Sequence, residues 1–179
     1  MKDFKELYRD FQKISKEYSD LQKNLPRIAG NAAVKVIRHN FEVEGFCEDS
    51  EQPQQKWSDR DEKTDYGYDN YKTYSGRNYS SSNPILKQTG NLRDSVGFKV
   101  EGENTVFIGS NLTVVPYVKA VNERVRNGVP DKFLGWSKFM AETIKNVIQR
   151  RRKNIFRKWL ISSTGEGKGL NLSGTDFSG

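Results

Sequence analysis

The sequence has little of what usually carries chemistry. One cysteine, Cys47, and one histidine, His39, stand in 179 residues. A lone cysteine excludes an intrachain disulfide, and the two residues together are too few for a clustered Cys/His zinc site. No stretch of about twenty apolar residues occurs, so no membrane-spanning helix is expected. The N-terminus, Met1-Lys2-Asp3-Phe4-Lys5-Glu6, mixes both charges and has no apolar region, unlike a secretory signal. A reducing cytoplasm is the expected place of synthesis.

Motifs for catalysis are equally scarce. A phosphate cradle needs glycines between a strand and a helix, and the only Gly-rich run is Gly165-Glu166-Gly167-Lys168-Gly169, with no strand before it. No Gly-x-Ser-x-Gly elbow exists. His39 lies in a helical pattern without a partner motif, where packing or solvent contact is the commoner role than base catalysis. Cys47 sits among Glu42, Glu44, Glu48 and Asp49, and nearby carboxylates disfavour the thiolate. The pairs Asp49/Glu51 and Asp59/Asp61 lack the spacing of a calcium loop. No catalytic residue, cofactor site or metal site is expected, and the chain reads as a non-enzyme.

What is present is charge. Hydrophobic residues make up 34% and charged residues 30% of the chain, with a mean hydropathy of −0.84. That composition gives one lean core under much polar surface. The net charge of +7 is uneven: residues 42–84 hold five basic against ten acidic side chains, and residues 136–179 hold nine against three. One acidic segment and one basic end suit head-to-tail contact between copies, and equally a basic face toward nucleic acid.

Along the chain, Phe4, Leu7, Tyr8, Phe11, Ile14, Tyr18, Leu21 and Leu25 recur at three- and four-residue steps, predicting an amphipathic helix over 3–25. Pro26 is expected to end it or to open a second helix over 27–41, with Gly30-Asn31 as a weak point. Residues 42–84 lack periodicity and read as a long polar insertion or arm. Val96, Phe98 and Val100 alternate with polar positions, and Thr105–Ile108 is a second β-rich run, so 95–109 should form an antiparallel hairpin. Leu112–Val115 is a candidate further strand, 117–122 a short helix or edge strand, and 128–130 a turn. The last helix is expected over 137–160, capped by Ser137. Residues 162–179 read as a flexible Gly/Ser-rich tail. Val96, Phe98, Val106, Ile108, Met140, Ile144, Val147 and Ile148 are expected to be buried together. The expected fold is α+β: one domain over 1–161, an antiparallel sheet flanked by N-terminal helices and a long C-terminal helix.

Several blocks then fall in a telling order. Thr89-Gly90-Asn91-Leu92-Arg93-Asp94-Ser95-Val96 is followed by Val106-Phe107-Ile108-Gly109-Ser110-Asn111, then Pro116-Tyr117, then Val129-Pro130-Asp131-Lys132-Phe133-Leu134-Gly135. Upstream stand Asn40-Phe41 and Trp57. In this order the chain resembles the phage virion morphogenesis (tail completion) family, chiefly over 85–150. It departs from that pattern at Val118 and Val121, where the family has alanine and histidine, and at Pro130-Asp131-Lys132-Phe133, which shortens Pro-x-Arg-Pro-Phe. The resemblance implies a structural subunit that closes with copies of itself, as a hexamer, into a ring at the head–tail neck or tail end of a tailed phage. It implies neighbouring tail-tube, sheath or connector proteins as partners, and the virion, assembled in the host bacterial cytoplasm, as its location.

The family-motif residues are Thr89, Gly90, Leu92, Arg93, Ser95, Gly109, Tyr117, Pro130, Phe133 and Leu134. A candidate charged interface comprises Glu48, Asp49, Glu51, Asp59 and Asp61 against Arg150, Arg151, Arg152 and Lys153. The alternative reading of that basic run is DNA contact by a nucleic-acid-binding accessory protein of phage morphogenesis. A solvated helix end, its positive charge matched to the C-terminal dipole, is the plainer account of the same residues.

Overall fold

A single long helix, α1 (Phe4–Val43), runs through both stretches that the sequence divides at Pro26. The computed structural model describes residues 3–57, 90–113, 115–126 and 128–164. Proline in a helix interior removes an N–H and crowds the carbonyl four residues earlier, here that of Gln22, at about 3 kcal/mol. The helix survives because Leu21 and Leu25 before the proline and Ile28, Ala32 and Val36 after it are buried or half-buried on one face. Pro26 nevertheless marks a boundary. The chain divides there into one compact unit of Met1–Leu25 with Val147–Gly179 and another of Pro26–Asn146.

After α1 come α2 (Asn91–Asp94), β1 (Val96–Glu101), β2 (Thr105–Ser110), α3 (Val118–Asn122), β3 (Val125–Arg126), β4 (Val129–Pro130) and α4 (Lys138–Thr164). The chain is α+β, as its patterning predicts. β1 and β2 pair antiparallel with Phe98 opposite Ile108 and Val96 opposite Ser110. The turn between them needs Gly102 at a positive φ of 65°. The Ser137 hydroxyl accepts the Met140 N–H at 3.1 Å and caps α4 as expected.

The core of the Pro26–Asn146 unit is centred on α1 rather than on the hairpin. Ala33, Val36, Ile37 and Phe41 of α1 meet Trp57, Leu92, Val96, Val115, Val118, Phe133 and Met140 in one buried cluster, with Phe98, Ile108 and Ile144 half-buried against it. Val147 and Ile148 belong to the other unit, so the expected eight-residue core is divided. Gly30 explains how the hairpin approaches α1: a Cβ there would lie 2.4 Å from Cδ2 of Phe98. The Arg38 guanidinium donates to the Val96 carbonyl at 3.3 Å and ties β1 to the same helix.

Three local expectations change. Leu112 and Thr113 form a turn instead of a strand, because the Asn111 side chain accepts the Thr113 N–H at 3.0 Å and its carbonyl accepts the Val115 N–H at 2.9 Å. The 128–130 turn is part of a small hairpin in which Val125 pairs with Pro130 and Arg126 with Val129. Residues 44–57, the first part of the expected polar insertion or arm, form a loop pinned to the rest of the unit. Gly45 bridges to Lys56, and the Trp57 N–H donates to the Glu44 carbonyl at 2.6 Å. The remainder of the expected arm, 58–84, and the tail after Thr164 lie outside the described residues.

Candidate functional site

Three of the residues that carry the resemblance, Asn40, Phe41 and Trp57, meet the segment 131–134 of the Pro26–Asn146 unit. Asn40, in the last turn of α1, is buried and uses both ends of its amide. Its Nδ2 donates to the Phe133 carbonyl and its Oδ1 accepts the Cys47 N–H, each at 3.1 Å. The Trp57 indole donates to the Lys132 carbonyl at 3.0 Å. From the other side, Oδ1 of Asn122 accepts the N–H groups of Phe133 and Leu134 at 2.9 and 2.8 Å. The Phe41 ring lies 5.1 Å from that of Phe133 and 5.5 Å, edge to face, from that of Trp57. A segment outside any helix or strand is thus held largely by the side chains of Asn40, Trp57 and Asn122, which satisfy backbone groups that burial would otherwise penalise by about 1–3 kcal/mol each.

An ion pair closes the same segment. Arg124 Nε donates to Asp131 Oδ2 at 2.6 Å, and the Asp131 N–H donates to the Arg124 carbonyl at 2.8 Å. The Asp131 side chain is fully buried while that of Arg124 is partly exposed. Neither Asn122 nor this pair is evident from the sequence. The available signal was Asp131 itself, an acidic residue between the apolar positions Val129 and Phe133.

The Gly90–Val96 block builds a corner. Gly90 takes a φ of 73°, α2 follows, Leu92 and Val96 turn into the core, and Arg93 points out to pair with Asp94 at 2.8 Å. That hydrogen bond holds Asp94 below the usual carboxylate range. Ser95 donates to the Leu92 carbonyl at 2.7 Å and meets the Ser110 hydroxyl across the hairpin. Gly109 stands opposite Gly97, Tyr117 and Pro130 are exposed, and Leu134 is half-buried. Thr89 lies outside the described residues.

The charged candidates separate between the two units. Glu48 approaches Lys132 at 3.9 Å, and that ammonium also sits 3.9 Å from the Phe46 ring centroid. Asp49 accepts the Gln54 side-chain amide at 3.1 Å. Glu51 acts through its backbone: its carbonyl lies 2.9 Å from Nε2 of His39 and accepts the Cys47 thiol at 3.2 Å. Arg150, Arg151, Arg152 and Lys153 are all exposed on α4. The basic run belongs to the unit containing Val147–Gly179 and the acidic loop to Pro26–Asn146. Asp59 and Asp61 lie outside the described residues.

Chemically, these groups position backbone rather than activate a nucleophile. His39 binds Glu42 at 3.2 Å with its other ring nitrogen, so it serves as a clamp on the acidic loop. Burial, and then the Glu51 carboxylate, push the Cys47 thiol up, away from the thiolate a nucleophile needs. Among the described residues, no three His, Cys, Asp or Glu side chains gather as a metal site, and no helix is long and apolar enough to cross a membrane. No protein-family model, curated protein or solved structure matches this chain.

Proposed function

We propose that this chain is a structural subunit of a tailed-phage virion that closes with copies of itself into a ring at the head–tail neck or tail end. The observation that supports the reading is the convergence of residues far apart in sequence. Asn40, Phe41, Trp57, Leu92, Val96 and Phe133, which carry the resemblance to tail completion proteins, share one buried cluster and its hydrogen bonds. In this role the work is done by surfaces: the pinned acidic loop and the basic run of α4 meet neighbouring copies or the adjoining tail-tube, sheath or connector protein. Electrostatic complementarity sets register and encounter rate more than affinity.

Removing the chain from an assembling phage tests this. Electron microscopy should find filled heads and tails that do not join, or tails with unfinished ends, and adding purified protein should restore complete particles. Complete, infectious particles formed without the chain would refute the reading. The exposed Arg150–Lys153 run, with exposed Arg157 and Lys158 beyond it, favours the second reading, a DNA-binding accessory protein. That role requires duplex binding whose affinity falls steeply with salt, with a log–log slope near −0.9 for each phosphate neutralised.

A further inference from the structure

The apolar stripe of α1 before Pro26 is only partly covered. Leu21 is buried and Ile14 and Leu25 are half-buried, whereas Phe4 is 83% exposed, Phe11 62%, Tyr8 56%, Leu7 43% and Tyr18 39%. Taking roughly 200 Å² for a whole aromatic side chain, these five residues leave on the order of 500 Å² of apolar surface in water. Exposed patches of that size on single subunits mark interaction sites. It is also more than half of the about 800 Å² that each partner brings to a standard interface.

We infer that this open stripe is where a second copy of the same chain docks, helix against helix. On the open face Phe4, Leu7, Phe11 and Tyr18 stand three, four and seven residues apart, the spacing of a helix seam that accepts another helix of the same repeat, while Leu21 farther along it is already covered. At about 100° per residue, the sector around the stripe holds only Gln12, Ser15, Ser19 and Gln22 besides apolar residues. Every charged side chain from Lys5 to Lys23 falls on the remainder of the circumference, Asp10 at its edge beside Leu21.

Two copies can therefore meet face to face here without setting like charges together, on a chain whose net charge of +7 otherwise opposes self-contact. The neutral amides and hydroxyls beside the stripe can hydrogen-bond their counterparts, which lipid tails cannot offer. Nucleic acid would need cations inside the sector, and it has none.

Sedimentation of the purified chain at tens of micromolar (on the order of a standard-size interface of modest affinity) should give a dimer or a larger even assembly. Phe11→Ser should weaken self-association at least about 30-fold, as central interface aromatics do, with unchanged helical circular dichroism. Because Cys47 is buried, Ser15→Cys beside the stripe supplies a single reactive thiol without removing an apolar contact, and mild oxidation should link two copies, whereas Lys16→Cys on the charged side should not. A monomeric wild type, or equal cross-linking by both cysteine variants, overturns the proposal. So does binding to phosphatidylcholine vesicles that Phe11→Ser abolishes while the mass in solution stays monomeric. The inference gives the ring-subunit reading a self-contact face but does not rest on it, since mass in solution and particle completion are separate measurements.

Discussion

The two parts of α1 on either side of Pro26 carry the same apolar spacing and meet different fates. After Pro26, Ala33, Val36, Ile37 and Phe41 are buried beneath the 44–57 loop, α2, the hairpin and the 131–134 segment. Before it, Phe4, Tyr8 and Phe11 stay in water. Periodicity thus states which face of a helix wants cover, and says nothing about whether the same chain provides it. The second part recruits cover because small residues, Gly30, Ala32 and Ala33, let other segments come close. The first part offers bulky aromatics on a sector without charge, a surface suited to another helix.

The contrast is broken most strongly at Phe41. Its ring lies between Trp57 and Phe133, so Phe41→Ala should destabilise the Pro26–Asn146 unit by about 3–5 kcal/mol in a urea melt. An effect below about 1 kcal/mol would mean that the core is not centred on α1.

Gly30 sharpens the comparison by a change of sign. An added methyl would overlap the Phe98 ring, and overpacking typically costs about 1–3 kcal/mol. The same change in a helix interior free of contacts gains about 1 kcal/mol. Gly30→Ala should therefore destabilise the wild type and stabilise a Phe98→Ala background. Equal effects in both backgrounds would show that Phe98 does not rest on Gly30.

Much of this arrangement could be read beforehand, and the failures have physical causes. The β1–β2 hairpin, the Ser137 cap and the inward Leu92 and Val96 follow from alternation, a hydroxyl before a helical run and one turn of spacing, all local signals. Pro26 misled because proline ordinarily stops a helix, whereas here the burial of Leu21 and Ile28 on either side outweighs one lost hydrogen bond. How the 44–57 loop is pinned could not be read beforehand because its cover is non-local: Asn40 reaches Cys47, His39 reaches Glu51 and Trp57 reaches Lys132. Asn122 and the Arg124–Asp131 pair were missed for the same reason. Single polar residues acquire structural roles only through partners that sequence spacing does not reveal.

Cys47 offers a gentler probe of the covered part. Its thiol should resist iodoacetamide until the 44–57 loop opens, whereas the thiol introduced by Ser15→Cys should react at the rate of a free peptide in dilute solution. Burial raises the folded pKa of Cys47 above that of the unfolded chain. The stability from keeping this thiol neutral is then fully present below the unfolded value of about 8.5 and is lost as pH rises through the folded one. Cys47→Ser should flatten that alkaline decline. A decline that persists unchanged would assign it to other groups.

The smallest effect belongs to Phe11, and its smallness is the point. Its ring is mostly in water, so Phe11→Ser in dilute protein should move the unfolding free energy by no more than about 0.5 kcal/mol, as exposed positions do. Phe41 and Phe11 are the same residue on the same helix, so the difference between the two variants isolates cover from composition. Concentration then separates an inert aromatic from a docking one. If copies pair through this stripe, wild-type stability rises with protein concentration by mass action, because the partner binds only the folded helix. The Phe11→Ser protein should lose that rise while matching the wild type at the lowest concentration. A melting temperature independent of concentration in both proteins would leave the stripe uncovered in solution and remove self-association as its explanation.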